Sequence, residues 1–215
     1  MRLRSLMKHI VFLQARGAAA ALHDSLLTSF APHADRGSVV AVNIVQDNGA
    51  PTPWDAVLEI WSEEPDTRLW VGKGIDRHVS RSVAYLVSEF VEKDIGPDRR
   101  WPTEGPKLIV PWVGRADLTP AERRRHWDEH VPLANRIHVG CTRYVRNWVE
   151  APIDGDTAPP YQGIAMQHFP TVRDLQERSF DSPASVQAIH EDVAEFIAEH
   201  VVLQTVEYFR TASRP

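Results

Sequence analysis

Cysteine is almost absent from this sequence. Cys141 is the only one among 215 residues, which excludes an internal disulfide and favours a reducing compartment. No stretch approaches the roughly 18–20 consecutive apolar residues that a membrane-spanning helix needs. An apolar run near the N-terminus is interrupted by Lys8, His9 and Arg16, so it predicts a tail leading into a strand rather than a signal peptide. We therefore expect a cytoplasmic protein with no membrane partner.

Several signatures of nucleotide and ester chemistry are also missing. The net charge is −5, and the short run at 123–125 predicts only a solvated helix face, which argues against nucleic acid as a partner. The segment 72–74 has glycines around a lysine but lacks the spacing of a phosphate-binding loop. No serine lies in a G-x-S-x-G turn, which argues against an α/β-hydrolase.

An internal repeat divides the chain into two similar halves. KHIVFLQAR at 8–16 resembles KLIVPWVGR at 107–115, and DAVLEIWSEEPDTRL at 55–69 aligns without a gap with YQGIAMQHFPTVRDL at 161–175. At the same offset, apolar residues of 83–91 align with apolar residues of 189–197. The pattern of apolar positions determines a fold more than sequence identity does. We predict a first, degenerate unit at 1–104 and a second unit at 105–215.

Each half has the pattern of a strand, a helix, two strands, a helix and a strand. The second-half elements are predicted at about 107–115, 119–136, 141–150, 162–169, 183–199 and 201–210, with a short extra helix at 171–178. The first-half elements are predicted at about 8–16, 18–34, 38–46, 56–63 and 76–93. A last strand would fall near 96–104, but GPDRRWPTEG is a poor strand sequence, and an irregular edge or a linker is the alternative. This order is the ferredoxin-like βαββαβ unit, whose sheet needs a cover on one face. We predict an α+β fold in which two tandem units pack sheet to sheet as an α/β barrel.

A strong helix signal opens the second half. Thr119 is a good N-cap, Pro120 suits the first helical position, and Glu122 completes a capping box. A proline at position 132 is expected to kink or end the helix.

This helix carries a histidine on its predicted inner face. Trp127, Val131 and Ala134 follow one another at spacings of four and three, and His130 lies on the same stripe. His126 lies one turn earlier and borders the stripe. An imidazole between a helix C-terminus and an apolar interior can titrate near neutral pH, where a general acid or base works best. The alternative is a structural histidine bonded to a backbone carbonyl.

Four segments of the second half resemble the EthD family of the dimeric α/β-barrel superfamily. The resemblance rests on HWDEHVPLA, CTRYVRNWV, YQGIAMQHF and DLQERSFDSPASVQAIHEDVAEFI, and it covers about residues 105–210. His130, the triplet 143–145 and the segment 180–183 match the family pattern. Where the family usually has an aromatic residue one turn before the histidine, this chain has His126, with Trp127 shifted by one. The resemblance implies a small aromatic or hydrophobic ligand held between the sheet and the helices.

Further candidate residues lie on the predicted strands. Tyr144 can donate to a developing oxyanion, and His168 is a second polar group; both also have structural alternatives. Candidate residues for substrate contact are Trp127, Trp148, Asn147 and Trp61, which include aromatic side chains suited to a flat ligand.

Two metal interpretations remain as alternatives. Residues 126–130 spell H-x-x-E-H, a zinc-peptidase pattern in which Glu129 would be the base. Related barrels bind haem, but nothing in the sequence singles out one of the ten histidines as an axial ligand.

We predict an enzyme that needs neither an organic cofactor nor a metal and acts on a small aromatic or polyketide-like substrate. His130 would provide general acid/base catalysis of the lyase, cyclase or isomerase type. The alternatives are a cofactor-independent monooxygenase and a non-catalytic accessory protein that binds a small ligand. The expected oligomeric state is a monomer or a homodimer.

Overall fold

The computed structural model describes residues 6–31, 39–47, 49, 51–62, 74–153 and 158–210. The strands in these ranges are β1 (Met7–Ala15), β2 (Val39–Val45), β3 (Ala56–Ser62), β4 (Val79–Asp94), β5 (Pro106–Gly114), β6 (Arg143–Pro152), β7 (Gly163–His168), β8 (Ile197–His200) and β9 (Leu203–Arg210). The α-helices are α1 (Ala19–Phe30), α2 (Pro120–Ile137), α3 (Val172–Arg178) and α4 (Pro183–Ala194). None of the helices in the described ranges is long and apolar enough to cross a membrane.

Eight of the described strands close into one antiparallel barrel. Their order around the barrel is β7-β6-β4-β1-β3-β2-β9-β5, and a β5–β7 pairing closes the ring. The short β8 pairs with the last residues of β5, from Trp112 to Gly114, on the same side of β5 as β9. Within each half the strand order is that of a ferredoxin-like sheet, and the halves join through β4–β6 and β2–β9. The predicted α+β barrel is confirmed.

The second helix predicted for the first half is wrong. Most of 76–93 belongs to β4, which pairs with β1 and with β6, and only Asp76–His78 forms a 3₁₀ turn. The alignment of 83–91 with the α4 region is therefore also wrong. Val83 and Val87 are four residues apart, a spacing that fits one helix turn and two strand repeats equally well. The strand predicted at 96–104 is absent, because the described residues 95–105 contain only turns and irregular backbone.

Other predicted boundaries shift by smaller amounts. The helix predicted at 183–199 ends at Ala194, and β8 occupies its last residues. The helix predicted at 18–34 ends at Phe30, and residues 32–34 lie outside the described ranges. Residues 63–73, between β3 and the 3₁₀ turn, also lie outside them.

Alternation along the strands separates the barrel interior from two outer layers. On β1, Val11 and Leu13 pack in a cluster with the α1 residues Leu22 and Leu26. Side chains at alternate positions point to opposite faces of a sheet, so Phe12 faces the barrel interior. There it joins an apolar cluster that draws on both halves and includes Ile10, Tyr85, Ile109, Ile164 and Met166. Helices α2 and α4 cover the outer face of the second half.

A second part of the interior is ionic rather than apolar. Lys8 Nζ lies 2.8 Å from Glu59 Oε2, and Arg99 lies 2.6 Å from Glu207. Lys107 bonds to both carboxylates. Burial alone would raise the pKa of Glu59, but Lys107, Lys8 and Arg99 together hold it well below its ordinary value. The buried carboxylates are therefore ionised and compensated by positive charges from both halves of the chain.

Candidate functional site

A cavity of about 220 Å³ lies between the outer face of the second-half sheet and helices α2 and α4. The sheet side is formed by β5, β6 and β7, and the helix side by α2 and α4. Aromatic and aliphatic side chains form most of the wall, and a few polar groups converge on it. An apolar cavity with few polar groups is the usual form of a small-molecule site.

Helix α2 positions His130, one of several histidines that line this cavity. The capping box is present: Thr119 accepts from the backbone N–H of Glu122, and the Glu122 carboxylate accepts from the backbone N–H of Thr119. The helix continues through Pro132 and ends at Ile137, so it does not stop at the proline as one alternative had it. Proline removes one ladder hydrogen bond, but burial of Ala134 and Ile137 beneath the helix favours its continuation.

His130 faces the cavity and is held by a carboxylate. Its Nδ1 lies 2.5 Å from Oδ2 of Asp192, which belongs to α4. Because a carboxylate accepts, Nδ1 carries the ring proton and Nε2 is left as a lone-pair acceptor. Burial lowers the pKa of His130 below 6.5, the hydrogen bond and charge of Asp192 oppose that shift, and Arg146 adds to it. At neutral pH the ring is therefore an uncharged base with a fixed tautomer.

His126 lies beside the cavity rather than in its wall. Its ring stacks on Phe196 with centroids 6.3 Å apart and an interplanar angle of 7°. Its Nδ1 lies 3.5 Å from the carboxylate of Glu195, the residue that follows α4. The two predicted histidines thus contact different carboxylates near the end of the same helix.

Four aromatic side chains pack together at one side of the site, and three of them line it. Trp112, Trp127, Trp148 and Phe196 make one buried cluster. The rings of Trp112 and Trp127 meet edge to face with centroids 5.0 Å apart, and both line the cavity. Trp148 packs behind Trp127 at 6.2 Å and faces a neighbouring surface groove instead. Trp127 is therefore placed to contact a ligand, whereas Trp148 supports it.

Tyr144 and Gln167 form the polar part of the sheet side. They are opposite each other in the β6–β7 pairing, and both line the cavity. Burial raises the pKa of Tyr144, while the charge of Arg146 and a hydrogen bond from Trp127 oppose that change. The phenol thus stays protonated and can donate a hydrogen bond. The Gln167 amide makes no hydrogen bond to any residue in the described part of the chain.

Three of the sequence-based candidates lie on the other side of the sheet. His168 borders a void of about 10 Å³ beside the ionic network inside the barrel. Asn147 is fully buried there and donates to the Ile164 carbonyl at 2.9 Å. Trp61 donates to Glu89 at 3.0 Å, next to Lys8. The structure therefore does not bring His168, Asn147 or Trp61 together with His130.

The H-x-x-E-H segment does not assemble as a metal site. Glu129 is exposed and lies near Arg125, while His126 and His130 each direct Nδ1 to a different α4-side carboxylate. Within the described ranges, no group of three or more histidine, cysteine, aspartate or glutamate side chains could hold a metal ion.

Sequence reasoning missed Asp192, His138 and Gln167. Asp192 is 62 residues from its partner His130, and no local pattern indicates that α4 packs there. His138 follows the last residue of α2, beyond the stripe on which the helix prediction rests. Alternation does put Gln167 and Ala165 on one strand face, but that face could be assigned to the helix side only once the helices were placed.

A protein-family model matches the part of the chain that contains most of the cavity residues. Residues 115–200, which include α2, β6, β7 and α4, match the EthD domain. That match confirms the resemblance seen in the sequence, and it contains the cavity residues on α2, β6, β7 and α4.

Three solved structures with low sequence identity have a similar fold. An anthrone oxidase-like protein matches with a TM-score of 0.65 and 10% identity, over 98% of this chain and 94% of that one. A candidate monooxygenase from Lactobacillus acidophilus NCFM matches with a TM-score of 0.53 and 10% identity, over 97% of each chain. A mutant chlorite dismutase from Candidatus Nitrospira defluvii matches with a TM-score of 0.55 and 8% identity, over 95% and 92%. No curated protein sequence matches this chain. At such identities, the structural matches establish the fold.

Proposed function

We propose that this protein is an enzyme that removes a proton from a small aromatic ligand, with His130 as the base. The observation that carries the proposal is the short contact between Asp192 and Nδ1 of His130, whose ring lines a mostly apolar cavity. A carboxylate behind an imidazole fixes its tautomer and stabilises the imidazolium that forms when it accepts a proton.

The proton transfer uses groups that line the cavity. Nε2 of His130 takes a proton from a ligand carbon conjugated with a carbonyl, and the electron pair of the broken C–H bond is delocalised onto the carbonyl oxygen. The Tyr144 hydroxyl, which burial keeps protonated, donates a hydrogen bond to that developing oxyanion. Return of the proton to another ligand atom completes an isomerisation. In a cyclisation, the carbanion instead attacks a second carbonyl carbon of the ligand, and the oxygen of that carbonyl takes the electron pair and then the proton. None of these steps needs a metal or an organic cofactor.

Oxygenation is the second candidate function of the same site. The carbanion that His130 would generate can react with dioxygen, with the ligand itself as the electron donor. The names of two similar structures, an anthrone oxidase-like protein and a candidate monooxygenase, support this candidate.

Anthrone is a suitable probe because its methylene lies between two rings and opposite a carbonyl. Metal-stripped protein is incubated with anthrone in D₂O under argon, and methylene exchange is followed by NMR above the uncatalysed rate. We expect catalysed exchange with the wild type and its loss with His130→Gln. Oxygen uptake on admitting air would select oxygenation. Binding without catalysed exchange would refute the enzyme proposal and leave the binding-protein alternative.

A further inference from the structure

We propose that His138 is a second ligand-binding residue of the cavity, where its Nε2 accepts a hydrogen bond from a hydroxyl group of the ligand. The proposal rests on the proposed function, because it assigns a polar contact to the aromatic ligand on which His130 would act. It concerns ligand recognition rather than proton transfer.

The hydrogen bonding of His138 leaves only one ring nitrogen for a ligand. Nδ1 lies 2.6 Å from the backbone carbonyl oxygen of Ser179. A carbonyl can only accept, so Nδ1 carries the proton and donates it. In the neutral ring, Nε2 is then an acceptor, and it has no hydrogen-bond partner in the described part of the chain.

The ring is held in place while it lines the cavity. His138 is buried to all but 9% of its surface, and its ring packs against Phe180 with centroids 4.9 Å apart. Burial lowers the pKa of His138, although the Ser179 hydrogen bond opposes this shift. An uncharged, immobilised imidazole whose remaining nitrogen can only accept selects a hydroxyl or an N–H group and discriminates against an ether or a carbonyl.

The other histidines at this cavity do not have these properties. His190 and His200 are exposed at its rim. His130 is buried like His138, but its Nδ1 is bonded to a carboxylate, which makes it the stronger base. The cavity thus has two buried imidazoles with fixed tautomers, one backed by Asp192 and the other by the Ser179 carbonyl.

The positions of the two imidazoles also constrain the ligand. Eight residues separate them along α2 and its C-cap. A rise of about 1.5 Å per residue places their Cα atoms on the order of 12 Å apart. A ligand that contacts both rings therefore carries its hydroxyl on a different atom from the carbon that loses its proton.

Two anthraquinones that differ in one group test the contact. 2-Hydroxyanthraquinone carries a terminal donor, whereas 2-methoxyanthraquinone has nearly the same shape and no donor. Dissociation constants are measured by tryptophan fluorescence quenching just below neutral pH, with the phenol protonated. We expect the wild type to bind the hydroxyl compound roughly five- to ten-fold more tightly than the methoxy compound.

Two substitutions separate a ligand contact from a structural role. His138→Asn keeps a donor near the Nδ1 position for the Ser179 carbonyl but has no atom at the Nε2 position. His138→Gln places an amide near the Nε2 position and loses the Ser179 contact. We expect His138→Asn to bind both compounds equally while melting near the wild-type temperature, and His138→Gln to keep part of the hydroxyl preference.

The outcomes distinguish this proposal from the proposed function. A hydroxyl preference that His138→Asn retains would overturn the role of His138 and leave the catalytic assignment of His130 intact. Equal binding of both compounds by the wild type would do the same. If neither compound binds the wild type, the aromatic-ligand proposal fails together with this one.

Discussion

Lys107 Nζ lies 2.6 Å from Glu207 Oε2 inside the barrel, and their side chains are only 6% and 1% exposed. The same ammonium bonds to Glu59 from the other half of the chain. One lysine thus compensates two buried carboxylates, and neither of them has ready access to water.

Removal of that lysine should strongly destabilise the fold. In Lys107→Met, two carboxylates keep their burial and lose a cation that contacts both of them, and breaking such a buried pair typically costs about 3–5 kcal/mol. The free energy of unfolding in urea measures the loss. Arg173→Ala is the control, because the Arg173–Glu177 pair is exposed on α3 and its loss should have little effect. Equal stabilities for the two variants would contradict the importance of the network.

The same network should make the fold sensitive to acid. The pKa values of Glu59 and Glu207 are lowered in the folded state by Lys107 and other cations against the effect of burial. Because the unfolded state binds protons more readily, this stabilisation is complete above the ordinary glutamate pKa of about 4.5 and is lost as pH falls below it. Urea titrations from pH 7 to pH 3 should show this decline. Stability unchanged between pH 5 and pH 3 would contradict it.

The two α2 histidines should differ in their effect on activity. His130→Ala should lower the anthrone exchange rate by about 10²–10⁴-fold, the usual contribution of a general acid or base. His126→Ala should lower it less, because His126 stacks on Phe196 beside the cavity. Melting temperatures of both variants provide the control. If His130→Ala melts well below the wild type but retains near-normal turnover when folded, His130 is structural.

The pH dependence of the anthrone exchange rate should show how Asp192 affects His130 as a base. His130 works as a base only when neutral, and its pKa is lowered by burial, so activity should be level near pH 7 and fall on the acid side below 6.5. Asp192→Asn removes the group that raises the pKa. Its activity should be lower at every pH, and its acid limb should move to lower pH. An unchanged limb position would show that Asp192 does not act through His130.

A glycine should prove necessary for the position of Trp112. A Cβ atom at Gly163 would lie 2.5 Å from the Trp112 indole, so Gly163→Ala should cost about 1–3 kcal/mol through overpacking. Trp112→Leu removes the three indole atoms nearest to that Cβ position, Cε2, Cζ2 and Nε1. The double variant should therefore be less destabilised than the sum of the single variants in urea denaturation, whereas strict additivity would contradict the clash.

Local signals predicted α2 well because its start depends on neighbouring residues. Thr119, Pro120 and Glu122 form the cap within four positions, and the stripe that places His130 is also local. The strand β4 was missed because Val83 and Val87 suit both periodicities. Only pairing with β1 and β6 selects the strand.

The site was predicted in part for a similar reason. Helix periodicity identified the inner face of α2, and strand alternation put Tyr144 and His168 on faces of their own strands. Alternation does not say which face meets the helices, so His168 was proposed for the site although it lies inside the barrel. The Asp192 contact depends on how two helices 62 residues apart pack together, and a single sequence carries no record of that packing.

The ionic network inside the barrel joins the two halves of the chain. Lys107 of the second half bonds to Glu59 of the first, and Arg99 of the first half bonds to Glu207 of the second. Either half expressed alone would keep a buried carboxylate that had lost one of its cations. The two halves share a strand order, and these ion pairs make them mutually dependent. Cutting the chain between β4 and β5 should therefore yield fragments that fold only when they are mixed.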